Sequence, residues 1–176
     1  MIRILGLLFV FVLVFLPDGA RADARANTNP PGFAFQSPGG SASATVNFTA
    51  DANGTLDVTD RRRKRKISLS KKILMNFDFH PSDDGKYVVG NLKDSFYGAE
   101  RNDRPIEDRD ALVFIDDEKI IKKYSFSQLM KDQKKAWLSV SHTHWLFDRP
   151  KADFAEDTLL VMTNDGLKYD FKISTG

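Results

Sequence analysis

A run of positively charged side chains is the densest cluster of chemically capable groups in the sequence. It places eight cations within twelve positions: Arg61, Arg62, Arg63, Lys64, Arg65, Lys66, Lys71 and Lys72. Guanidinium and ammonium groups at this density bind anionic polymers because they displace the polymer's counterions. The run therefore predicts a site for an acidic glycan, lipopolysaccharide or nucleic acid. The alternative is a solvated hairpin turn or edge strand, where lysine and arginine deter edge-to-edge pairing of sheets.

A second candidate site is a long polar loop over residues 94–110. Loops of this length inside a compact domain are commonly binding loops. The spacing of the carboxylates does not match an EF-hand, which needs a glycine at its sixth position, and the mixed charges can equally neutralise one another in solvent. The residues of this candidate binding loop are Asp94, Arg101, Asp103, Arg104, Glu107, Asp108 and Asp110.

The chain has three histidines, His80, His142 and His144. Two of them are two positions apart, so on an extended strand their side chains point to the same face of a sheet. Such a pair, with His80 as a third ligand, is a weak candidate for a zinc site in a small metal-dependent hydrolase. Aliphatic residues recur at the same period, which favours buried or partly buried histidines. We therefore predict no metal ion and no cofactor.

Several kinds of chemistry are excluded by what the sequence lacks. With no cysteine there is no disulfide framework, cysteine nucleophile or thiolate metal site. The sequence also lacks a phosphate-binding glycine loop, a Gly-x-Ser-x-Gly nucleophile elbow, a His-Glu-x-x-His motif and a dinucleotide-binding fingerprint. The formal net charge of +2 gives no global preference for nucleic acid. These absences favour a binding module over an enzyme.

Residues 1–22 have the three parts of a secretory signal. Arg3 supplies a positive charge, an apolar run follows to Leu16, and Ala20-Arg21-Ala22 provides a small-x-small cleavage site. The apolar run is shorter than the roughly 20 residues that a membrane-spanning helix needs. We therefore expect cleavage near Ala22 and a secreted or periplasmic product with no membrane span in its mature part.

The rest of the chain divides into a linker and one domain. Residues 23–43 are rich in Pro, Gly and Ser and predict a linker with at most one short edge strand, at 32–35. Residues 44–176 predict a single all-β domain, because apolar residues alternate along most of its length. The apolar runs 112–115 and 159–162 indicate central strands buried on both faces.

Turn and cap signals place the remaining elements. Asn53-Gly54 predicts a hairpin turn, since both residue types tolerate positive φ. Asp84-Gly85 and the Asn-Asp-Gly sequence at 164–166 predict further turns, as do the aspartates at 116–117. Ser125 and Gln128 form a capping-box pattern that predicts one short helix over 126–134.

A pattern made of two parts occurs three times along the chain. The first part is a turn followed by an apolar strand, and it occurs at 37–48, 81–89 and 155–161. The second part is a strand, a polar turn and a return strand, and it occurs at 54–69, 110–125 and 166–173. Successive small antiparallel sheets of this kind are typical of propeller blades.

Three segments resemble repeat elements of tryptophan–aspartate-type β-propellers and of exported, uncharacterised bacterial proteins that carry them. Residues 81–89 (PSDDGKYVV) resemble the Ser-x-Asp-Gly-Lys/Arg-Tyr-Val-Val element, and 112–129 resemble a second element with Asp117 or Glu118 in place of its turn glycine. Residues 139–145 (SVSHTHW) resemble a third element. The resemblance implies an all-β, exported protein and supplies no catalytic residues. Propellers close with four or more blades, so three repeats imply an open or partial propeller, a propeller completed by self-association, or a β-sandwich.

Together these observations predict an exported, non-catalytic binding module with antiparallel sheets. Its partner is a protein or glycan that the sequence does not identify, and a homo-oligomer is compatible with the repeats. Polyanion binding through residues 61–72 is the first alternative. A small metal-dependent hydrolase is the second.

Overall fold

A computed structural model describes residues 30–48, 53–93, 95–97, 109–138 and 142–176. In these residues strands predominate and pair antiparallel, which confirms the prediction of an all-β protein. The strands are β1 (Ala34–Gln36), β2 (Ser43–Phe48), β3 (Asn53–Thr59), β4 (Lys64–Ser70), β5 (Phe77–Pro81), β6 (Tyr87–Leu92), β7 (Ser95–Tyr97), β8 (Asp110–Asp116), β9 (Lys119–Ser125), β10 (Trp137–Leu138), β11 (His142–His144), β12 (Lys151–Asp153), β13 (Thr158–Met162) and β14 (Lys168–Lys172). The helical elements are α1 (Lys71–Asn76), α2 (Phe126–Leu129) and one 3₁₀ turn (Gln133–Lys135).

The described strands form four sheets. Sheet I has the order β1-β2-β3-β4 and sheet II the order β5-β6-β8-β9, so each is a four-stranded antiparallel meander. Sheet III has the order β10-β11-β7, and sheet IV the order β12-β13-β14. Among the helices of the described residues, none is long and apolar enough to cross a membrane.

Strand β8 is the centre of the core. Its five residues from Ala111 to Ile115 are all buried, which confirms the prediction of a central strand at 112–115. The Phe114 ring lies 5.6 Å from the ring of Phe171, so sheet IV covers one face of sheet II. In β13 the pattern differs, because Leu159 and Val161 are buried while the residues between and after them are partly exposed. The prediction of burial on both faces at 159–162 is therefore wrong, and β13 is an ordinary alternating strand.

Each copy of the sequence pattern corresponds to one sheet. Residues 37–69 lie in sheet I, 81–125 supply the main strands of sheet II, and 155–173 lie in sheet IV. The third copy ends with a single strand, β14, so sheet IV has three strands where sheets I and II have four. The edge strand expected at 32–35 is β1, which begins and ends slightly later.

The turns at 84–85, 116–117 and 164–166 are confirmed, but the hairpin turn predicted at Asn53-Gly54 is wrong. Both residues lie in strand β3, where Gly54 pairs with Phe48. A Cβ atom on Gly54 would collide with the carbonyl oxygen of Asn47 and would lie 2.7 Å from Cδ1 of Leu74. The glycine is required because two backbones and a leucine approach closely there, and its capacity for positive φ is not used.

The capping box at Ser125 is confirmed, but the helix is shorter than predicted. Ser125 and Gln128 make both bonds of the box, and α2 ends at Leu129. The carboxylate of Asp165 accepts the backbone N–H groups of Lys131 at 2.7 Å and Asp132 at 3.1 Å. These donors are thus bound to a neighbouring turn instead of extending the helix to 134.

Candidate polyanion interface

The run of cations folds into a hairpin formed by β3, β4 and the turn between them, which we call the basic hairpin (residues 53–70). Asp60 holds the turn, because its Oδ1 accepts the N–H of Arg62 at 2.6 Å and that of Arg63 at 3.0 Å. The Asp60 N–H in turn donates to the Arg63 carbonyl at 3.1 Å. Short polar side chains commonly close turns in this way. Arg61 and Arg62 are therefore carried at the exposed tip of a hydrogen-bonded turn.

Strand β4 is the edge of sheet I and exposes every second residue. Lys64 and Lys66 are exposed, whereas the side chain of Arg65 is only 2% exposed and lies on the same face as the buried Ile67. This alternation follows from the twofold period of a strand. The cations of one sequence run therefore lie in two environments, since the lysines are exposed to solvent and the arginine is buried.

The Arg65 guanidinium connects three turns. Its Nη2 donates to Oδ2 of Asp60 and to the carbonyl oxygen of Asp84 at 3.1 Å. Its Nη1 donates to Oδ1 of Asp117 at 3.1 Å. These partners belong to the β3–β4, β5–β6 and β8–β9 turns, so Arg65 holds sheet I against sheet II. A planar fork of donors suits this geometry, and an ammonium group could not reproduce it.

Two further cations of the hairpin pair with carboxylates. Arg63 Nη2 lies 2.8 Å from Oδ1 of Asp117, and Lys64 Nζ lies 2.7 Å from Oδ2 of Asp57. Burial acts to raise the pKa of Asp57, but the hydrogen bonds from Lys64 and Thr55 and the charges of the nearby lysines outweigh it, so this pKa is lowered.

Arg61 and Arg62 make no ion pair with any residue that the structure describes. Together with Arg63 and Lys86 they line a concave surface of about 710 Å³ between the turns of sheets I and II. Three aspartates share this surface, and each accepts hydrogen bonds from the chain: Asp60 from its own turn, Asp83 from Gly39 N at 2.8 Å and Asp84 from Lys86 N at 2.9 Å.

Lys71 and Lys72 follow β4 directly and begin α1, a helix that no sequence pattern predicted. The Ser70 hydroxyl caps it by accepting the Ile73 N–H at 3.4 Å. Both lysines are exposed, and Lys71 Nζ lies 5.7 Å from the centre of the Phe48 ring. A helix of six residues carries too little periodicity to be separated from the adjoining strands.

Of the residues named for the candidate binding loop, only Asp110 lies in the described part of the chain; within the same span, Ser95–Tyr97 form strand β7 and are not loop. Asp110 begins β8, and its Oδ2 lies 2.8 Å from Nζ of Lys123 in β9, where it forms a cross-strand ion pair. The remaining residues lie outside the described residues: Asp94, Arg101, Asp103, Arg104, Glu107 and Asp108.

The three histidines belong to two different sheets. His80 lies on β5 of sheet II, and its Nε2 is 2.8 Å from Oδ1 of Asn91. His142 and His144 lie on β11 of sheet III, and the side chain of His142 is outside the described residues. Within the described ranges no group of three or more His, Asp or Glu side chains is placed to hold a metal ion.

A cleft of about 760 Å³ lies between β1, β5, β6 and the segment 146–150, and no sequence pattern predicted it. Its lining includes Asp78, His80 and the exposed ring of Phe147. These residues come from segments far apart in sequence, so no local spacing could reveal the cleft. No protein-family model, curated protein or solved structure matches the chain.

Proposed function

We propose that the protein is an exported, non-catalytic binding module that takes polyanions on its basic hairpin. The observation that carries the proposal is the tip of the hairpin, where Arg61 and Arg62 are exposed without ion-pair partners in the described residues. Unpaired guanidinium groups of this kind gain binding free energy when an anionic polymer releases its counterions.

The rigidity of the turn supports the same proposal. Asp60 and Arg65 fix the backbone beneath the exposed arginines. A ligand then orders few groups on binding, so less of the interaction free energy is lost to conformational entropy. The aspartates of the concave surface already accept hydrogen bonds from the chain, which reduces their repulsion of an incoming anion.

Export is part of the proposal and rests on residues 1–22. It is consistent with a ligand such as an acidic glycan or lipopolysaccharide, which a secreted or periplasmic protein meets. We further infer that sheets I, II and IV are propeller-like repeats. The agreement between the three copies of the sequence pattern and three separate sheets supports this inference.

Salt-dependent retention on immobilised heparin tests the function. We expect the wild-type protein to be retained at low salt, and the triple variant Arg61→Gln, Arg62→Gln, Lys66→Gln to bind weakly, with the slope of log affinity against log salt reduced by about 2–3. The matched control is Lys131→Gln, Lys134→Gln, Lys135→Gln, which removes equal charge from exposed residues near the 3₁₀ turn. Equal losses in both triples, or no retention of the wild type, would refute the proposal.

A further inference from the structure

The cleft between sheets I and II is lined by strands of both sheets and by the segment 146–150. Strand β1 forms one wall, where the Phe35 ring packs edge-on against Phe79 with centroids 5.6 Å apart. The segment 146–150 forms another part of the lining. It is tied to sheet IV, because the Phe147 N–H donates to the Met162 carbonyl at 2.9 Å and Leu146 pairs with Thr163. A ligand would therefore enter a preformed site.

Planar polar side chains cover the floor of the cleft. Asp78 and His80 are two apart on β5 and share one face, and Asn91 is the cross-strand partner of Asp78 on β6. Asn91 is only 2% exposed, and its Nδ2 donates to the Leu92 carbonyl at 3.2 Å. Its Oδ1 therefore faces His80 and accepts from Nε2. In the tautomer that makes this bond, Nε2 carries the proton and Nδ1 is left as a hydrogen-bond acceptor.

Phe147 gives the cleft an apolar surface in contact with water. Its side chain is 70% exposed, against 44% or less for the other exposed large hydrophobic residues of the described chain. An exposed aromatic ring is not unusual alone. Here the ring lines a concave surface together with polar side chains, a combination typical of small-molecule sites.

The charges of the cleft leave little preference for an ionic ligand. Asp148 pairs with Lys151 at 2.8 Å and accepts the Arg149 N–H at 2.8 Å. The hydrogen bond from Lys151 is the main reason why the pKa of Asp148 is lowered. Arg149 is the one Lys or Arg among the described lining residues, and the charge of Asp78 also acts on Lys93, which follows β6. The cleft thus differs from the concave surface of the basic hairpin, where three arginines and a lysine lie beside three aspartates.

We propose that this cleft binds an uncharged saccharide. A sugar ring presents an apolar C–H face, which packs on an aromatic ring such as Phe147. Its edges carry neighbouring hydroxyl groups, and each needs both a donor and an acceptor. Asp78, His80 and Arg149 supply acceptors and donors in planar groups. The site is separate from the basic hairpin and does not depend on polyanion binding.

Saturation-transfer NMR on the mature chain tests the proposal with four neutral probes: maltotriose, cellotriose, mannotriose and N-acetylated chitotriose. The measurements use about 0.5 M NaCl, which screens binding to the basic hairpin. We expect at least one trisaccharide to bind. Phe147→Ala and Asp78→Asn should each weaken that binding by about tenfold or more, because one removes the stacking surface and the other a charged acceptor.

The matched control is Leu167→Ala, which truncates a partly exposed hydrophobic side chain outside the cleft and should leave binding unchanged. The triple variant of the basic hairpin should also bind the sugar normally, which separates this site from the proposed polyanion function. If none of the four probes binds at millimolar concentration, or if Phe147→Ala binds as the wild type does, the proposal is wrong.

Discussion

The β1–β2 turn of sheet I and the β5–β6 turn of sheet II are built by the same hydrogen bonds but have different neighbours. In each, a serine N–H donates to the carbonyl five residues on, and the N–H of that residue returns to the serine Oγ. The distances are 2.9 and 3.0 Å in residues 37–42 and 2.8 and 2.9 Å in residues 82–87. A glycine three residues after the serine has positive φ in both, 69° at Gly40 and 61° at Gly85.

The two turns differ in the atoms that surround their glycines. A Cβ on Gly40 would meet nothing within 4 Å, whereas a Cβ on Gly85 would lie 2.6 Å from Nη2 of Arg65. The second turn also reaches the first, since Asp83 accepts the N–H of Gly39. A serine followed three residues later by a glycine therefore makes the same turn twice, although the other residues of the two turns differ. Only the turn of sheet II is used to dock a buried cation from a neighbouring sheet.

The largest loss of stability is expected at Arg65, because its guanidinium makes the contact between sheets that distinguishes the two turns. Arg65→Ala leaves Asp60 without its buried partner, and such losses typically cost about 3–5 kcal/mol of unfolding free energy. Arg62→Ala, a matched change at the exposed tip, should shift it by no more than about 0.5 kcal/mol. Urea unfolding measures both.

Arg65→Lys keeps the charge but loses the forked geometry, so its stability should lie between those of the wild type and Arg65→Ala. This second variant remains informative if Arg65→Ala does not fold. Equal stabilities for Arg65→Ala and Arg62→Ala would mean that the buried guanidinium does not hold the sheets together.

A smaller loss of stability is expected when either glycine is replaced by alanine, and the two losses compare the turns directly. Gly40→Ala places an L-residue in the left-handed region at a cost of about 1–2 kcal/mol. Gly85→Ala has the same conformational cost and also pushes Cβ into Arg65, so we expect a total of about 2–4 kcal/mol. Paired thermal and urea unfolding curves give the difference. If both variants lose the same stability, the two turns are equivalent and the contact with Arg65 has no energetic consequence.

The smallest expected effect is on the pH dependence of stability. The hydrogen bond from the Arg62 N–H is the main cause that lowers the pKa of Asp60, with further lowering by the Arg63 N–H and the charge of Arg65 against an opposing effect of burial. A lowered folded-state pKa stabilises the protein above the unfolded-state value of about 3.9, and this contribution is lost as the pH falls through the folded-state pKa. We expect Asp60→Asn to lower the urea midpoint at pH 7 and the gap from wild type to close toward pH 2.

Asp153→Asn is the matched control at pH 7. Its Oδ1 accepts the N–H groups of Ala155 and Glu156 at 3.0 and 3.1 Å, the same local pattern as at Asp60. An asparagine keeps such bonds, so Asp153→Asn should lower the midpoint less than Asp60→Asn, which also loses the attraction to Arg65. A gap between wild type and Asp60→Asn that stays constant from pH 7 to pH 2 would contradict the prediction.

Much of the fold follows from patterns that depend on near neighbours. The burial of β8, the capping box at Ser125 and the turn before β6 were all predicted from adjacent residues, because strand period, cap and turn chemistry are local. The helix that stops at Leu129 was mispredicted in length because a carboxylate 33 and 34 residues away binds the backbone after it. Gly54 was mispredicted because its neighbours in space, not its residue type, explain it.

The two candidate sites also differ in how far the sequence could predict them. The sequence located the cations of the basic hairpin, and the period of two that buries Ile67 could also have placed Arg65 inside. The cleft had no such signal, since its walls come from β1, β5 and residues 146–150. Exposed polar side chains on distant segments carry no periodicity that marks them as neighbours.

By itself the sequence determined that this chain forms antiparallel sheets, where several of its turns fall and that its densest run of positive charge lies in one hairpin. Those properties depend on the conformational preferences of residues close together in the chain. Only the tertiary structure decided which carboxylates pair with the buried arginine, which serine–glycine turn receives it and which distant side chains form a cleft. These outcomes depend on contacts between separate sheets, where burial and hydrogen bonding are settled by residues that the local sequence does not contain.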